Sequence, residues 1–477
     1  MRRSALLTVC LLLTTLLFAP AGAQAGASRG YLVVLAGTQT ASGFDAIGSD
    51  AQVAAALRAA GGTVTNDLSA QIGVLAVASS NLAFADALTA SGLVFAVGSD
   101  FTWQGVPGGG PEPVDDLGEE LQWDMRQIRT DEAHAIQAGA PAVDVGVLDT
   151  GIDGTHVDFR KGGVSNVDCS RGRNSIAFVP SGPGVGNPDP CVDNQFHGTH
   201  VAGTIAARAN GVGVVGVAPN VGLVPVKVCD VSGFCYASAV IDGITYAGDQ
   251  RFDVINMSFF VDDDDFQEST EFKCMDDPTQ RAFRQAVERA IGYARNQGVT
   301  PVAALGNSDA DLAHPTDDPE TPQDEGNDCD VVPAETQGVV GTMALGNMSQ
   351  KAGYSNYGTG ATDVAAPGGT ANGDCIRGVP STIPGGYGCF QGTSMASPHA
   401  AGVAALIVSE FGTLRNGDVS MSPTRVEDYL QATAIDIGLP GYDECFGNGR
   451  IDALRAVTHD TSGAYDASAP FCPEYEE

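Results

Sequence analysis

The sequence predicts an α/β protein, in which a three-layer domain with a mostly parallel central sheet follows a small α+β unit. After residue 121, near-continuous apolar runs alternate with alanine-rich stretches, as expected for parallel strands that helices cover on both faces. Before residue 104, short strands and helices follow in a β-α-β-β-α-β order. With 477 residues, the chain is long enough for two such units.

The first 23 residues have the organisation of a secretory signal peptide. Arg2 and Arg3 precede an apolar run at 5–19, and small residues at 21–23 form an A-x-A cleavage site. The alternative is a membrane anchor, but the apolar run is short for a bilayer span. We therefore expect a secreted, extracellular protein without a membrane anchor.

The small unit spans residues 28–103 and precedes a linker at 104–120. Its strands are predicted at 31–35, 62–65, 71–77 and 93–97, and its helices at 51–60 and 81–88. The linker is rich in glycine, proline and acidic residues, which is typical of an exposed and cleavable segment.

The large domain spans residues 121–460, and an acidic tail follows at 461–477. Its strands are predicted at 143–148, 222–228, 254–257, 300–304 and 338–344. Its helices are predicted at 197–209, 236–247, 279–296, 394–411 and 423–432. In such a sheet, ligands are expected at the carboxyl ends of the strands.

Eleven cysteines agree with an oxidising compartment, because Cys10 lies in the leader and the other ten can pair completely. A zinc site is the alternative, but no C-x-x-C pair or Cys/His cluster has the required spacing. We predict sequential disulfides, namely Cys169–Cys191, Cys229–Cys235, Cys274–Cys329, Cys375–Cys389 and Cys445–Cys472.

The formal net charge is −34, from 24 basic and 58 acidic residues. Binding of nucleic acid is therefore not expected, because phosphate contacts need lysine and arginine. The charge is compatible with high salt, with calcium-rich surroundings, or with a highly soluble exported protein.

Three short motifs supply the parts of an acyl-transfer site. They are DTGID from Asp149, HGTHVAGT from His197, and GTSMASPH, in which Ser394 is the third residue. A carboxylate can orient an imidazole, the imidazole can take a proton, and the hydroxyl can attack a carbonyl. In this order, the motifs resemble those of the subtilisin-like serine proteases, or subtilases. The resemblance implies that Asp149, His197 and Ser394 form a catalytic triad.

The same resemblance implies an oxyanion hole. The ALGN segment at 304–307 matches the family's oxyanion asparagine, so Asn307 is expected to donate beside the N–H of Ser394 at a helix N-terminus. The alternative is an asparagine that closes a turn after a strand. His200 forms an H-x-x-H pair with His197, but the glutamate of a zinc motif is missing, and we predict a packing role for it.

The resemblance also places Ser258, Phe259, Phe260, Ala304 and Gly306 along the substrate groove. Two phenylalanines stand where the family usually has small residues, which predicts a narrowed or reshaped pocket.

Two acidic segments affect the expected specificity. Four aspartates at 262–265 form either a negative rim that attracts basic substrate residues or a solvated loop. The loop at 309–330 is longer and more acidic than the family's minimum.

Asp158 and Asn210 match ligands of a family calcium site whose other ligands are backbone carbonyls, and such oxygen ligands suit calcium. The family's amide side chain near the mature N-terminus has no clear match here, although Glu119 lies close to its expected place.

Residues 28–103 resemble, in layout, the ferredoxin-like inhibitory propeptide of the subtilases, although an unrelated α+β domain would look similar. The predicted function is that of a secreted, monomeric serine endopeptidase that cleaves proteins or peptides through an acyl-enzyme, without a cofactor for catalysis. It would be made as a self-processing zymogen that its own propeptide inhibits. The alternatives are a selective processing protease for one partner protein and a silent binding protein, but the latter is expected to lose a catalytic residue.

Overall fold

The computed structural model describes residues 28–107, 121–180, 186–261, 277–313, 330–415, 417–470 and 472. The predicted leader, most of the predicted linker with Glu119, the aspartates at 262–265 and most of the 309–330 loop lie outside the described residues. The same holds for the predicted Cys274–Cys329 disulfide.

The N-terminal unit is built on a four-stranded antiparallel sheet with the order β4-β5-β1-β6. Its helices are α1 (Asp50–Ala60), α2 (Ser69–Ile72) and α3 (Phe84–Thr89). Its strands are β1 (Arg29–Leu35), β2 (Gly37–Thr40), β3 (Gly43–Ala46), β4 (Gly62–Leu68), β5 (Val74–Ser79), β6 (Val94–Ser99) and β7 (Thr102–Gln104). The expected β-α-β-β-α-β order is present, and the hairpin β2–β3 and helix α2 are additional to it.

Local sequence explains where helix α1 begins and ends. The Ser49 hydroxyl accepts the N–H of Gln52, and the Gln52 side chain accepts the N–H of Ser49, which forms a capping box. Gly61 ends the helix in the left-handed conformation at φ 82°.

The large domain is built on a seven-stranded sheet with the order β11-β12-β8-β14-β15-β16-β17, in which every pair is parallel. Its strands and short pairs are β8 (Asp144–Asp149), β9 (Arg160–Lys161), β10 (Val164–Ser165), β11 (Arg173–Asn174), β12 (Gly222–Lys227), β13 (Phe234–Tyr236), β14 (Val254–Met257), β15 (Thr300–Ala304), β16 (Val340–Leu345), β17 (Val364–Pro367), β18 (Val379–Ile383), β19 (Gly386–Phe390), β20 (Thr413–Arg415), β21 (Asp418–Ser420), β22 (Ile435–Asp436) and β23 (Ala464–Tyr465). The five predicted strands are β8, β12, β14, β15 and β16.

Helices cover both faces of this sheet, which confirms the three-layer α/β prediction. The helices of this domain are α4 (Trp123–Gln127), α5 (Thr130–His134), α6 (His197–Ala206), α7 (Ala237–Gln250), α8 (Pro278–Asn296), α9 (Thr393–Phe411), α10 (Pro423–Ala432) and α11 (Ala453–Thr458). Helices α7 and α8 contribute to one buried apolar cluster, and α6, α9, α10 and α11 contribute to another. In the described residues, no helix is both long and apolar enough to span a membrane.

The N-terminal unit packs on α7 and α8. Leu32 and Val34 of its sheet, together with Ile72 of α2, lie in the same apolar cluster as Ile244 and Ala286 of these helices. The opposite face of that sheet packs under α1 and α3 in a separate cluster. Both faces of the small sheet are thereby buried, and one of them depends on the large domain.

Helix α4 is anchored to the large domain through buried contacts. The Trp123 Nε1 donates to Gly378 O at 2.8 Å, and the Gln122 side chain bonds both the N–H and the carbonyl of Val215. Asp124 Oδ2 lies 3.1 Å from Nε2 of His399, and both side chains are fully buried. His399 belongs to α9, so α4 is tied to the helix that carries Ser394.

Four of the predicted disulfides are present in the described residues. They are Cys169–Cys191, Cys229–Cys235, Cys375–Cys389 and Cys445–Cys472. The Cys445–Cys472 disulfide joins the large domain, before helix α11, to the predicted acidic tail.

Candidate active site

Asp149 ends strand β8 at the carboxyl edge of the sheet, where its side chain is fully buried. Its Oδ1 accepts the N–H of Thr150 at 2.7 Å. Both carboxylate oxygens lie 3.0 Å from Nδ1 of His197. Gly151, at φ 109°, allows the chain to turn away directly after this residue.

His197 is the first residue of α6 and is nearly fully buried. Because its Nδ1 faces two carboxylate oxygens, this nitrogen carries the proton and donates a hydrogen bond to Asp149. The other nitrogen, Nε2, has no hydrogen-bond partner in the described residues. In the neutral ring, Nε2 is therefore a free base.

Sequence reasoning missed Asp193, which fixes the start of α6. This fully buried carboxylate accepts the backbone N–H groups of Gln195, Phe196 and Thr199 and the hydroxyls of Thr150 and Thr199. Burial raises the pKa of Asp193, and the nearby Asp149 raises it further. The signal in the sequence was an aspartate four residues before the histidine, close to the N-terminus of the helix.

Ser394 lies in the first turn of α9, after Gly392 at φ 148°. Its Oγ donates to the carbonyl of Ser258 at 3.0 Å, while the Ser258 hydroxyl donates to the carbonyl of Ser394 at 2.8 Å. Asn256 extends this network, since its Nδ2 donates to Ser258 Oγ and its Oδ1 accepts the Ser397 hydroxyl. The end of β14 is thereby fixed to the start of α9.

Asn307 follows strand β15 and its side chain is exposed at the edge of the sheet. Its Oδ1 accepts the N–H of Thr393 at 2.9 Å and the Thr393 hydroxyl at 3.0 Å. With the amide oxygen fixed in this way, the amide nitrogen of Asn307 is the donor that remains for another group. The side chain lies beside Ser394 in the first turn of α9.

A second asparagine, Asn356, shapes the turn that carries Asn307, and the sequence analysis did not identify it. Its Oδ1 accepts the N–H groups of Ser308 and Ala310. Gly306, at φ 115°, passes so close that a Cβ there would lie 2.2 Å from Asn356 Nδ2. Only glycine fits at residue 306.

The key side chains face a common cavity of about 320 Å³. Its lining residues are Pro107, Phe196, His197, Asn307, Asn372, Gly373, Phe390, Gln391, Ser394 and Met395. The cavity therefore brings together a basic nitrogen, a hydroxyl at a helix N-terminus and an amide donor, which are the parts of an acyl-transfer site.

The predicted substrate residues have different positions. Phe259 and Ala304 are fully buried, and the ring centroid of Phe259 lies 6.3 Å from that of Trp103. With Trp103 in place, the Phe259 side chain is part of the core and does not narrow this cavity. Phe260 is half-buried, and Ser258 presents its backbone carbonyl to Ser394.

His200 lies one turn after His197 and has a packing environment. Burial lowers the pKa of His200 to about 3, and the neighbouring His197 contributes. Its Nε2 lies 3.0 Å from the carbonyl of Val379, and its ring packs on Phe390. Among the described residues, no group of three or more metal-binding side chains is present.

Asp158 and Asn210 lie together, as the calcium prediction requires. The Asn210 Nδ2 contacts Asp158 Oδ1 at 3.3 Å and the carbonyls of Val157 and Arg160 at 3.1 and 3.0 Å. The Asn210 Oδ1 accepts the N–H of Val212 instead. A cation here would require the Asn210 amide to turn its oxygen toward Asp158 Oδ1 and the two backbone carbonyls. Calcium binding therefore stays a prediction.

Comparisons with known proteins show which family the chain resembles. Residues 141–449 match the subtilase family. Subtilisin from Bacillus pumilus is 33% identical over 341 residues, which cover 71% of this chain and 99% of that protein. Subtilisin NAT from Bacillus subtilis subsp. natto is also 33% identical over 341 residues, covering 71% of this chain and 72% of that protein.

Two solved structures have a similar fold. The epidermin leader peptide processing serine protease from Staphylococcus aureus has a TM-score of 0.69 at 20% identity, covering 91% of this chain and 98% of that chain. A lanthipeptide protease has a TM-score of 0.56 at 25% identity, covering 72% and 95%. The first likeness extends over the N-terminal unit as well as the large domain.

Proposed function

Because the chain belongs to the subtilase family of serine endopeptidases, we propose that Asp149, His197 and Ser394 are its catalytic triad. The observation that carries this proposal is the pairing of His197 Nδ1 with both oxygens of Asp149, next to a cavity that also contains Ser394. The pairing fixes the tautomer in which Nε2 can accept a proton.

The reaction follows from this arrangement. The Ser394 hydroxyl leaves the Ser258 carbonyl, gives its proton to His197 Nε2, and its Oγ attacks the carbonyl carbon of the scissile peptide bond. The negative oxygen that forms accepts hydrogen bonds from the Ser394 N–H and from Asn307 Nδ2. His197 then gives the proton to the departing amine, and a water molecule releases the acyl group by the same steps.

We propose that the N-terminal unit is an intramolecular inhibitor. Its strand β7 pairs antiparallel with the edge strand β13, and Val106 N donates to Gly233 O at 3.2 Å. The chain then reaches Pro107, which lines the cavity with His197 and Ser394. A segment in this place excludes a substrate chain from the same edge.

Two polar contacts support tight docking of this unit. Asp100 accepts both the N–H and the hydroxyl of Ser238 at 2.9 Å, at the start of α7. Arg289 of α8 donates to the carbonyls of Leu35 and Ile72 at 3.1 and 3.3 Å. Burial raises the pKa of Asp100 to about 6 and lowers the pKa of Arg289 to about 10.

We also propose that the protein is exported, in agreement with the leader predicted at 1–23. Four disulfides in the described residues support an oxidising compartment. Cleavage of the chain within 108–120 would then release the catalytic domain from its inhibitor.

The experiment that tests this function is expression of Ser394→Ala, followed by its intact mass and its activity on a denatured protein. We expect a precursor that begins near residue 24, remains uncut and has no peptidase activity. Ser462→Ala, an exposed serine outside the site, is the matched control and should mature normally. A fully matured Ser394→Ala protein would show that another protease makes the cut, and retained peptidase activity would refute the triad.

Selective processing of one partner protein is a second candidate function. The observation that favours it is the packing of the Trp103 side chain, in strand β7, against the rings of Phe259 and Phe283, because side-chain pockets beside a paired strand select particular sequences. Cleavage of a random peptide library by the mature enzyme distinguishes the two functions. A broad set of products supports a general endopeptidase, and a narrow set supports a processing enzyme.

A further inference from the structure

The backbone of the N-terminal unit crosses directly over a disulfide on its way to the cavity. Trp103 of β7 is paired with Cys235 of β13, and Gly105 follows two residues later. A Cβ built on Gly105 would lie 2.4 Å from Cys235 Sγ and 2.9 Å from Trp103 Nε1. Carbon and sulfur atoms do not approach so closely without a bond, so one of the groups must move.

The conformation of Gly105 itself does not require glycine. Its φ lies outside the left-handed region, in contrast to Gly306 or Gly392. An alanine could therefore adopt this backbone conformation. What prevents a side chain here is the space that the sulfur and the indole occupy.

The sulfur of Cys235 cannot rotate away, because it is bonded to Cys229. Both cysteines are fully buried. The Cys229 N–H donates to the carbonyl of Asp149 at 3.2 Å, so the disulfide joins the edge strand to the backbone beside the catalytic aspartate.

The loop between the two cysteines is also held in place. Asp230 Oδ1 accepts the N–H groups of Ser232 and Phe234, and its Oδ2 accepts the Tyr236 hydroxyl at 2.8 Å. Burial and this carboxylate together raise the pKa of Tyr236, so its hydroxyl stays a donor. The strand that receives the extended chain is thus fixed on both sides of Cys235.

We propose that the Cys229–Cys235 disulfide is a specificity-determining element, which selects substrates that have glycine at the position held here by Gly105. The inference rests on the proposed function, because it takes the segment at 102–107 to follow the path of a substrate. The substrate class is an extended polypeptide that pairs with β13 and places glycine over the sulfur.

A pair of peptides tests the proposal with the mature enzyme. One has the sequence of residues 101–112, and the other carries Gly105→Ala, with Trp103 kept in both. We expect kcat/KM for the glycine peptide to be at least about 10-fold higher, which is the lower end of the range for one extra carbon in a closed site. Equal values for the two peptides would overturn the proposal.

The double variant Cys229→Ala/Cys235→Ala links this preference to the sulfur. Without the sulfur, the closest contact of the added methyl group is removed, while the Trp103 indole at 2.9 Å and the Cβ of residue 235 at 3.1 Å remain. The ratio of the two kcat/KM values should therefore fall below that of the wild type. The matched control is Cys445→Ala/Cys472→Ala, which removes a disulfide outside the groove and should keep the wild-type ratio. An unchanged ratio in the first double variant would overturn the role of the disulfide.

Hydrolysis of a small ester, which is too short to pair with β13, separates this inference from the proposed function. If the enzyme cleaves neither the ester nor any peptide, the proposed function fails. If it cleaves the ester but neither peptide, the groove does not follow the segment at 102–107, and only the inference fails. If the cysteine variant does not fold, two other measurements test the inference. They are the ratio of kcat/KM for the two peptides with the wild-type enzyme and the rate of self-processing of full-length Gly105→Ala. A wild-type rate of self-processing in this variant would refute the inference.

Discussion

Replacement of Asn307 separates a chemical role of this side chain from a structural one. Its Oδ1 accepts two hydrogen bonds from Thr393, while its amide nitrogen is available to the cavity. Asn307→Asp keeps an oxygen for Thr393 but replaces the donor with an acceptor. Asn307→Ala removes both functions.

Both variants lack the amide donor and should therefore lose activity, but their free energies of unfolding should differ. Loss of one oxyanion donor costs about 2.7–4 kcal/mol in the transition state, which is a decrease in kcat of roughly 10²–10³. The aspartate should be at least as slow as the alanine, because its charge repels the developing oxyanion. Only Asn307→Ala leaves the buried Thr393 N–H and hydroxyl without their acceptor, at a cost of about 1–3 kcal/mol.

The assay measures kcat and KM on one peptide, together with unfolding by urea. The variants are matured by a separate protease that cuts within 108–120, so that slow self-processing does not limit the amount of active enzyme. Asn347→Asp is the matched control, since Asn347 donates to Ile376 O outside the cavity. A kcat of Asn307→Asp within about threefold of the wild type would refute the assignment of an oxyanion donor.

Two further perturbations test the pH dependence and the cation site. Burial raises the pKa of Glu335 to about 7, from 4.5, so its contribution to stability is present below pH 4.5 and is lost as the pH rises through about 7. Glu335→Gln should remove this decrease in stability, which melting temperatures of both proteins between pH 5 and 8 measure. If the variant has the same pH dependence as the wild type, the prediction is wrong. Calcium should raise the melting temperature of the wild type and not that of Asp158→Asn, because a ligand of the native state stabilises it by mass action. If chelation leaves the melting curve unchanged, the calcium prediction is wrong.

The sequence was sufficient for the elements whose residues form a clear local pattern. Strands such as β12 and β14 are continuous apolar runs, and the helix α10 begins at a proline, so their bounds follow from local patterns. Strand β11 was missed because its two residues are too few for a pattern, and β17 because its alanines and proline are poor strand formers. Their pairing depends on the neighbouring strand of the completed sheet.

The candidate site was predictable only where a side chain carries the chemistry itself. Asp149, His197 and Ser394 lie in motifs, whereas Asp193, Asn256 and Asn356 act through hydrogen bonds to partners that only the fold brings near. Asp193 accepts the Thr150 hydroxyl, and Asn256 accepts the Ser397 hydroxyl. Asn356, for example, fixes a turn 46 to 48 residues before it. No local pattern indicates such a contact. Phe259 was expected along the groove from the family resemblance. Its burial could not be predicted, because its partner Trp103 belongs to a different unit of the chain.

The anchoring of α4 has a consequence for the proposed maturation, because it limits where a processed chain could begin. Gln122, Trp123 and Asp124 are held by contacts to Val215, Gly378 and His399, and the last of these lies on the helix of Ser394. A cut after these residues would remove supports of that helix, whereas Pro107 still lies within the cavity. If the proposed maturation takes place, we therefore expect the new amino terminus between residues 108 and 121. Trimming by other peptidases within this interval would keep the contacts of residues 122–124, so we expect it to leave the proposed catalytic residues in place.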